Sequence, residues 1–415
     1  MKFSNNTLSS GKLSFILLAI SLLIGFYFNE DASGGGKGDF FNTWGYNIAL
    51  QENLLVDPTP WTVHFPLHHI ILSRLNFFIT DQYYLRLFLC ILSIVVPFLF
   101  YLNLKTKFNS INQNLLLFLA SLIFLLPSFR YSAIWANNHI TASIFFLLST
   151  LFFLKWETKK NYNKIDLNII LQTFFLSLAV YTRQYYALIF VYFMIVYFQK
   201  LNFINFIKIS FIVFVFSLPG FWLILNQQRF LTVTFSNKLF NSLLINSSIM
   251  SFYLAPIFLL LLFDNKKLFS DKKKFFIITA IFSTLFVYAL SIPFDYNHKM
   301  GGGFILKLSV LLFDNNLLFY LSSIFGFIFL TYLSLESKNN FILIIILLLG
   351  FSAFMIFQKY FEPTFLFIFF LLFYSKLSFN FLNNYKNLFY MYFYVLVYLI
   401  SAIINDIYQI TKNFL

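Results

Sequence analysis

Runs of about twenty apolar residues, each long enough to cross a bilayer, recur along the whole chain and limit its fold more than any other feature. They lie near residues 13–29, 84–104, 114–129, 139–155, 167–182, 185–199, 204–226, 246–263, 275–292, 316–334, 340–357, 362–375 and 388–404. Hydrophobic residues make up 60% of the 415 and charged residues only 11%, which is more apolar surface than an aqueous fold can hide. The expected fold is therefore all-α, a polytopic transmembrane bundle of about 11–13 spans forming a single domain over 1–415. The two runs flanking Arg183 read as one broken helix or a re-entrant pair. The first run follows Lys2 and Lys12, lacks a small-residue cleavage site and reads as an uncleaved anchor. Cys90 is the lone cysteine and lies inside an apolar run, so no disulfide framework or thiolate metal site is expected.

The lysines set the expected topology. Lys105 and Lys107, then Lys155, Lys159, Lys160 and Lys164, then Lys200 and Lys208 fall in alternate loops, and later lysines continue the alternation. The positive-inside bias makes these loops and the amino terminus cytoplasmic. The net charge of +14 is then a topological signal, and no nucleic-acid partner is expected. Arginines do the opposite: Arg74, Arg86, Arg130, Arg183 and Arg229 all fall at external span ends. A guanidinium fork grips phosphate at two points, so this segregation points to an anion near the outer face, with snorkelling headgroup anchors as the competing reading.

The longest polar stretch, 30–83, becomes the first external loop. Asp39 to Leu55 and His64 to Asn76 have apolar positions near helical spacing and are expected to form short amphipathic helices. Glu30, Asp31 and Asp39 are the candidate catalytic acids, since a carboxylate in a dry interfacial pocket can take a hydroxyl proton. For Asp39 the competing role is amino-terminal cap of the first amphipathic helix. The GGGKG run at Gly34 to Gly38 offers N–H groups to an anion or serves as a flexible linker. His64 and His68 have the i, i+4 spacing that can chelate a divalent metal, but Pro66 between them disfavours a regular helix. With His69 they are expected to bind substrate. Trp44 joins the substrate-binding candidates. Arg183, with Gln184 and Tyr185 beside it, interrupts an apolar region and needs a carboxylate or ligand phosphate as partner. Gln358, Lys359, Tyr360 and Glu362 form a comparable polar knot late in the chain, with an internal Lys–Glu pair as the competing reading. Arg130, Trp135, Asn137, Asn138 and His139 add a further polar loop.

This arrangement resembles the GT-C superfamily of integral-membrane glycosyltransferases. The matching pieces are Asp39-Phe40-Phe41-Asn42 after the first span and then Phe65-Pro66 leading into Leu67 to Leu72. Arg183-Gln184 is similar to the Arg-Gln-Thr element of the alpha-1,2-glucosyltransferase branch, although Tyr185 replaces the threonine. Gln358 to Pro363 is similar to a late Arg-Tyr-x-x-Pro element, with Lys359 where arginine is commoner. The resemblance implies a polyprenyl-phosphate-linked sugar donor, a glycan, lipid or protein acceptor, and inverting transfer at the extracytoplasmic face of a bacterial inner membrane. It implies Asp39 as base, with Arg183, Arg130 and Lys359 on the donor phosphate. No redox cofactor is implied, and a divalent metal stays open. The alternatives from the residues themselves are an outer-face polysaccharide polymerase or ligase, a lipid-linked glycan transporter, and a membrane scaffold.

Overall fold

The computed structural model describes residues 10–32, 35–58, 61–159, 165–226, 239–264, 279–280, 283–284, 294, 296, 301–350 and 355–414. Among these the regular elements are all helical. Among the described residues, seven helices are long and apolar enough to cross a membrane, and up to nine spans result if each of two bent pairs is one span. Leu167–Thr182, Gly303–Phe313 and Lys338–Gly350 are apolar but shorter. The expected count of about 11–13 included apolar runs that form the shorter helices, which fall below full spanning length. Two runs turn out to be bent, and the run 275–292 lies almost wholly outside the described residues.

Two compact units emerge, one made of 1–190, 197–230 and 392–415, the other of 191–196 and 231–391. The first unit opens with α1 (Ser10–Tyr27), then α2 (Gly36–Glu52) and α3 (Leu67–Leu75) within the long polar loop. Both expected loop helices therefore form. α4 (Gln82–Ser93) and α5 (Val95–Lys107) run on as one 26-residue span. α6 (Gln113–Ser121) passes through a 3-10 turn into α7 (Pro127–Ile134) with a 68° bend. Pro127 supplies the break, because it has no N–H to continue the helical ladder. Every residue of α7 is buried. α8 (Asn138–Lys159) and α9 (Leu167–Thr182) pack side by side, and α10 (Ala187–Lys200) follows a short 3-10 turn at Gln184–Tyr186. The pair flanking Arg183 is thus two helices, with Arg183 itself in extended backbone between them.

α2 starts where it does because Asp31 caps it. The Asp31 carboxylate accepts from the backbone N–H of Gly35, Gly36 and Lys37 at 3.2, 2.9 and 3.1 Å. The anion for that glycine-rich run is the protein's own. α3 starts after Pro66, whose carbonyl accepts from Ile70 N at 2.8 Å. α4 is capped by Asp81, which accepts from Tyr83 N at 2.7 Å.

In the second unit, α11 (Leu239–Asp264) carries Tyr253, and α12 (Gly303–Phe313) follows three glycines with φ of +127°, +83° and +84°. A Cβ on Gly303 would meet Ile249 at 2.7 Å, so that turn admits glycine alone. The second bent pair, 358–371 with 376–382, turns by 99°.

Candidate functional site

The polar residues of the first unit converge on the turn between α7 and α8, residues 134–138. Ala136 sits there at φ +52°, a left-handed conformation that a residue with a Cβ adopts only when its surroundings hold it. Asn137 N donates to Ser132 O at 2.8 Å, and the Ala136 carbonyl accepts from His68 Nε2 at 3.0 Å. Once Nε2 carries the proton, Nδ1 must accept, and Thr141 Oγ1 donates to it at 2.8 Å. Burial lowers the pKa of His68 to about 4, against the Ala136 bond and with help from the Arg183 charge. The ring is thus neutral and fixed in one tautomer.

The next two residues of the turn reach two different candidates. Asn137 Nδ2 donates to Asp39 Oδ2 at 3.1 Å, and Asn138 Oδ1 accepts from Arg183 Nη1 at 2.7 Å. Acid and guanidinium, 144 positions apart in the chain, are therefore tethered to neighbouring residues. Asp39 is half-buried in the first turn of α2, and Arg183 is buried. Asp39 is not the cap of α2, as one sequence reading had it, because Asp31 already fills that place. Tyr185 lies under the Arg183 guanidinium at 5.3 Å, and Gln184 Nε2 donates to Val63 O at 2.6 Å. His64 Nδ1 lies 3.4 Å from Gln184 Oε1, so the first loop is pinned to the Arg183 turn. Trp44 packs on Phe40 along α2. Beside the 134–138 turn, a cleft of about 10 Å³ has His68, Ser132, Asn137 and Thr141 among its lining residues. That is room for one water.

Several sequence expectations meet a different geometry. Arg130, expected on a donor phosphate, is committed to Glu30: Nε donates to Oε1 and Nη2 to Oε2, both at 2.6 Å. Its other donors go to Ser21 Oγ, Ser21 O and Phe124 O, so all five are used within the protein. Gly25 makes room for the pair, since a Cβ there would lie 2.4 Å from Glu30 and 2.6 Å from Arg130. Glu30 and Asp31, both candidate acids, are occupied as an ion-pair partner and a helix cap. His64 lies outside α3, so His64 and His68 do not form an i, i+4 pair on one helix. The described residues contain no group of three His, Cys, Asp or Glu side chains arranged for a metal ion. His69 Nδ1 instead pairs with Asn47 Oδ1 at 2.8 Å. Burial, then the neighbouring His68, holds its pKa well below the usual value. Asn47 Nδ2, His69 Nε2 and Ser73 Oγ are buried without protein partners among the described residues, which calls for internal water between α2 and α3.

The late polar knot belongs to the second unit. Gln358 Oε1 accepts from Phe304 N at 3.1 Å, capping α12, and Gln358 Nε2 donates to Tyr253 Oη at 2.8 Å. Tyr253 in turn donates to the buried Glu362. Lys359 Nζ lies 5.1 Å from the centre of the Phe357 ring, and Tyr360 meets the same ring edge-on at 5.7 Å.

Sequence reasoning singled out Asn137 and Asn138 as loop residues without seeing that they join Asp39 to Arg183. Their polarity between apolar runs was the available signal, and their partners depend on tertiary packing. Together the helices and this polar centre define an integral, multi-pass helical membrane protein. Comparison with family models, with curated proteins and with solved structures finds no match to this chain.

Proposed function

We propose that this chain is a GT-C-like membrane glycosyltransferase that moves a sugar from a polyprenyl-phosphate donor to an acceptor hydroxyl at the extracytoplasmic face. The observation that supports this most is the tethering of Asp39 and Arg183 to the adjacent Asn137 and Asn138. Asp39 is the one loop acid of the three that neither pairs with Arg130 nor caps α2. In this reading Asp39 takes the acceptor proton as the acceptor oxygen bonds to the anomeric carbon. The bond from that carbon to the phosphate oxygen breaks, the configuration inverts, and the lipid phosphate leaves with the electron pair. Arg183 stabilises the departing phosphate through charge-assisted hydrogen bonds. Gln184 and His64 position the loop over the sugar, with Tyr185 and Trp44 as its aromatic walls. The amino terminus is cytoplasmic, and a bacterial inner membrane is the expected location.

The test is the purified protein in lipid with a panel of polyprenyl-phosphate sugars. Slow hydrolysis of one donor is expected, and Arg183→Lys should weaken donor use more than acceptor use. Equal loss in both would remove the phosphate role.

A second reading, a lipid-linked glycan transporter, draws on the two bent helix pairs, one in each unit, because discontinuous helices in two halves are a transporter feature. Sealed vesicles separate the two readings. Net movement of a labelled lipid-linked glycan without bond cleavage would favour transport.

A further inference from the structure

Arg86 differs from the other buried arginine with fully assigned partners. Arg130 meets Glu30, whereas Arg86, only 7% exposed, meets no carboxylate within 4 Å among the described residues. Its Nε donates to Ile134 O at 3.1 Å and its Nη2 to Asn29 Oδ1 at 3.1 Å. Nη1 has no hydrogen bond among the described residues. The guanidinium stacks 3.6 Å from the centre of the Trp135 ring, with Phe26 at 5.3 Å and Phe40 at 5.8 Å. The aromatic faces and the Ile134 carbonyl, at the end of α7, soften the cost of burying this cation without cancelling its charge.

The position of Arg86 is as telling as its partners. It lies in the first turns of α4, against Asn29 just past the end of α1, so it sits near the ends of two candidate spans. Around that level Tyr27, Phe28, Tyr83 and Tyr84 are exposed by 72%, 73%, 44% and 60%. Exposed aromatic side chains at span ends mark the headgroup layer of a bilayer. A net positive charge with a spare N–H fork edge, set in an aromatic belt at headgroup depth, matches the phosphate of an anionic lipid.

We propose that Arg86, flanked by Tyr83 and Trp135, is a binding site for the headgroup phosphate of one anionic bilayer lipid, distinct from the Asp39–Arg183 centre. The bound lipid supplies the missing counter-charge and holds the α1–α4 corner against the 134–138 turn. The site needs only that the chain spans a membrane and is independent of glycosyl transfer.

The experiment is native mass spectrometry of the full chain exchanged into micelles carrying equal phosphatidylglycerol and phosphatidylcholine. The wild type should retain phosphatidylglycerol preferentially. Arg86→Gln keeps an amide for Ile134 O but loses the charge, and should lower that retention by about tenfold, the scale of one charge-assisted hydrogen bond. Retention by Arg86→Gln equal to wild type would overturn the proposal. If the variant does not fold, the wild type alone decides. Phosphatidylglycerol should raise its melting temperature more than phosphatidylcholine does, and equal rises would overturn the site. Displacement of the lipid by millimolar inorganic phosphate would also overturn it, because it would mean a free-anion site in place of a lipid site.

Discussion

The two ends of α8 hold charge in opposite ways. At its start, Asn138 accepts from the buried Arg183, and on the preceding α7 Arg130 pairs with Glu30, their side chains only 5% and 13% exposed and all five Arg130 donors used. At its finish, 22 residues and about 33 Å away, Lys159 meets Asp166 at 2.5 Å with side chains 54% and 26% exposed. Lys200 and Glu157 pair nearby, also partly exposed. One end ties buried charged and polar side chains together across several helices, while the other pairs lysines with carboxylates at a partly exposed surface.

That contrast can be broken most forcefully at Arg130. Arg130→Met strands Glu30 in a nearly buried position and should cost about 3–5 kcal/mol, read as loss of melting temperature in detergent. The double variant with Glu30→Gln should recover part of the loss. An effect as small as that of Lys159→Ala would erase the distinction between the two ends.

Acid should act next, and at the same end. His68 has a folded pKa of about 4 against an ordinary value of 6.5, so between these values the unfolded chain binds the proton that the folded one refuses. Stability from this group is complete above about 6.5 and falls as pH drops toward 4, by roughly 3 kcal/mol in all. His69 acts in the same direction. Unfolding measured from pH 7 to pH 4.5 should therefore be markedly less pH-sensitive in His68→Gln than in the wild type, and parallel curves would contradict the neutral, locked ring.

A smaller loss, about 1 kcal/mol, is expected for Asn137→Ala, which releases Asp39 but leaves no buried charge alone. Its activity should fall more than its stability, and a fall in stability alone would mean that Asn137 only braces the turn. Lys159→Ala should change stability by less than about 1 kcal/mol, and that little should vanish in high salt.

The spans and the two loop helices were legible because hydrocarbon length and helical spacing are local properties. Asp39 and Arg183 were legible as polar residues beside apolar runs. Arg130 looked the same as Arg183 in the sequence, since nothing local reveals that Glu30, a hundred positions away, occupies it. Pro127 marks a helix break that the sequence shows, whereas the left-handed Ala136 depends on how α7 is buried, which no window of residues encodes. The capping of α2 by Asp31 in place of Asp39 could have been anticipated from the glycines between them, whose free N–H groups need an anion at about that distance.

The most direct measurement is donor binding and sugar transfer by wild type and Asp39→Asn, side by side in the same lipid. Asp39→Asn is expected to stay folded, to bind the polyprenyl-phosphate sugar as wild type does, and to transfer none of it. Transfer at the wild-type rate by this variant would contradict the paired acid and guanidinium as a catalytic centre.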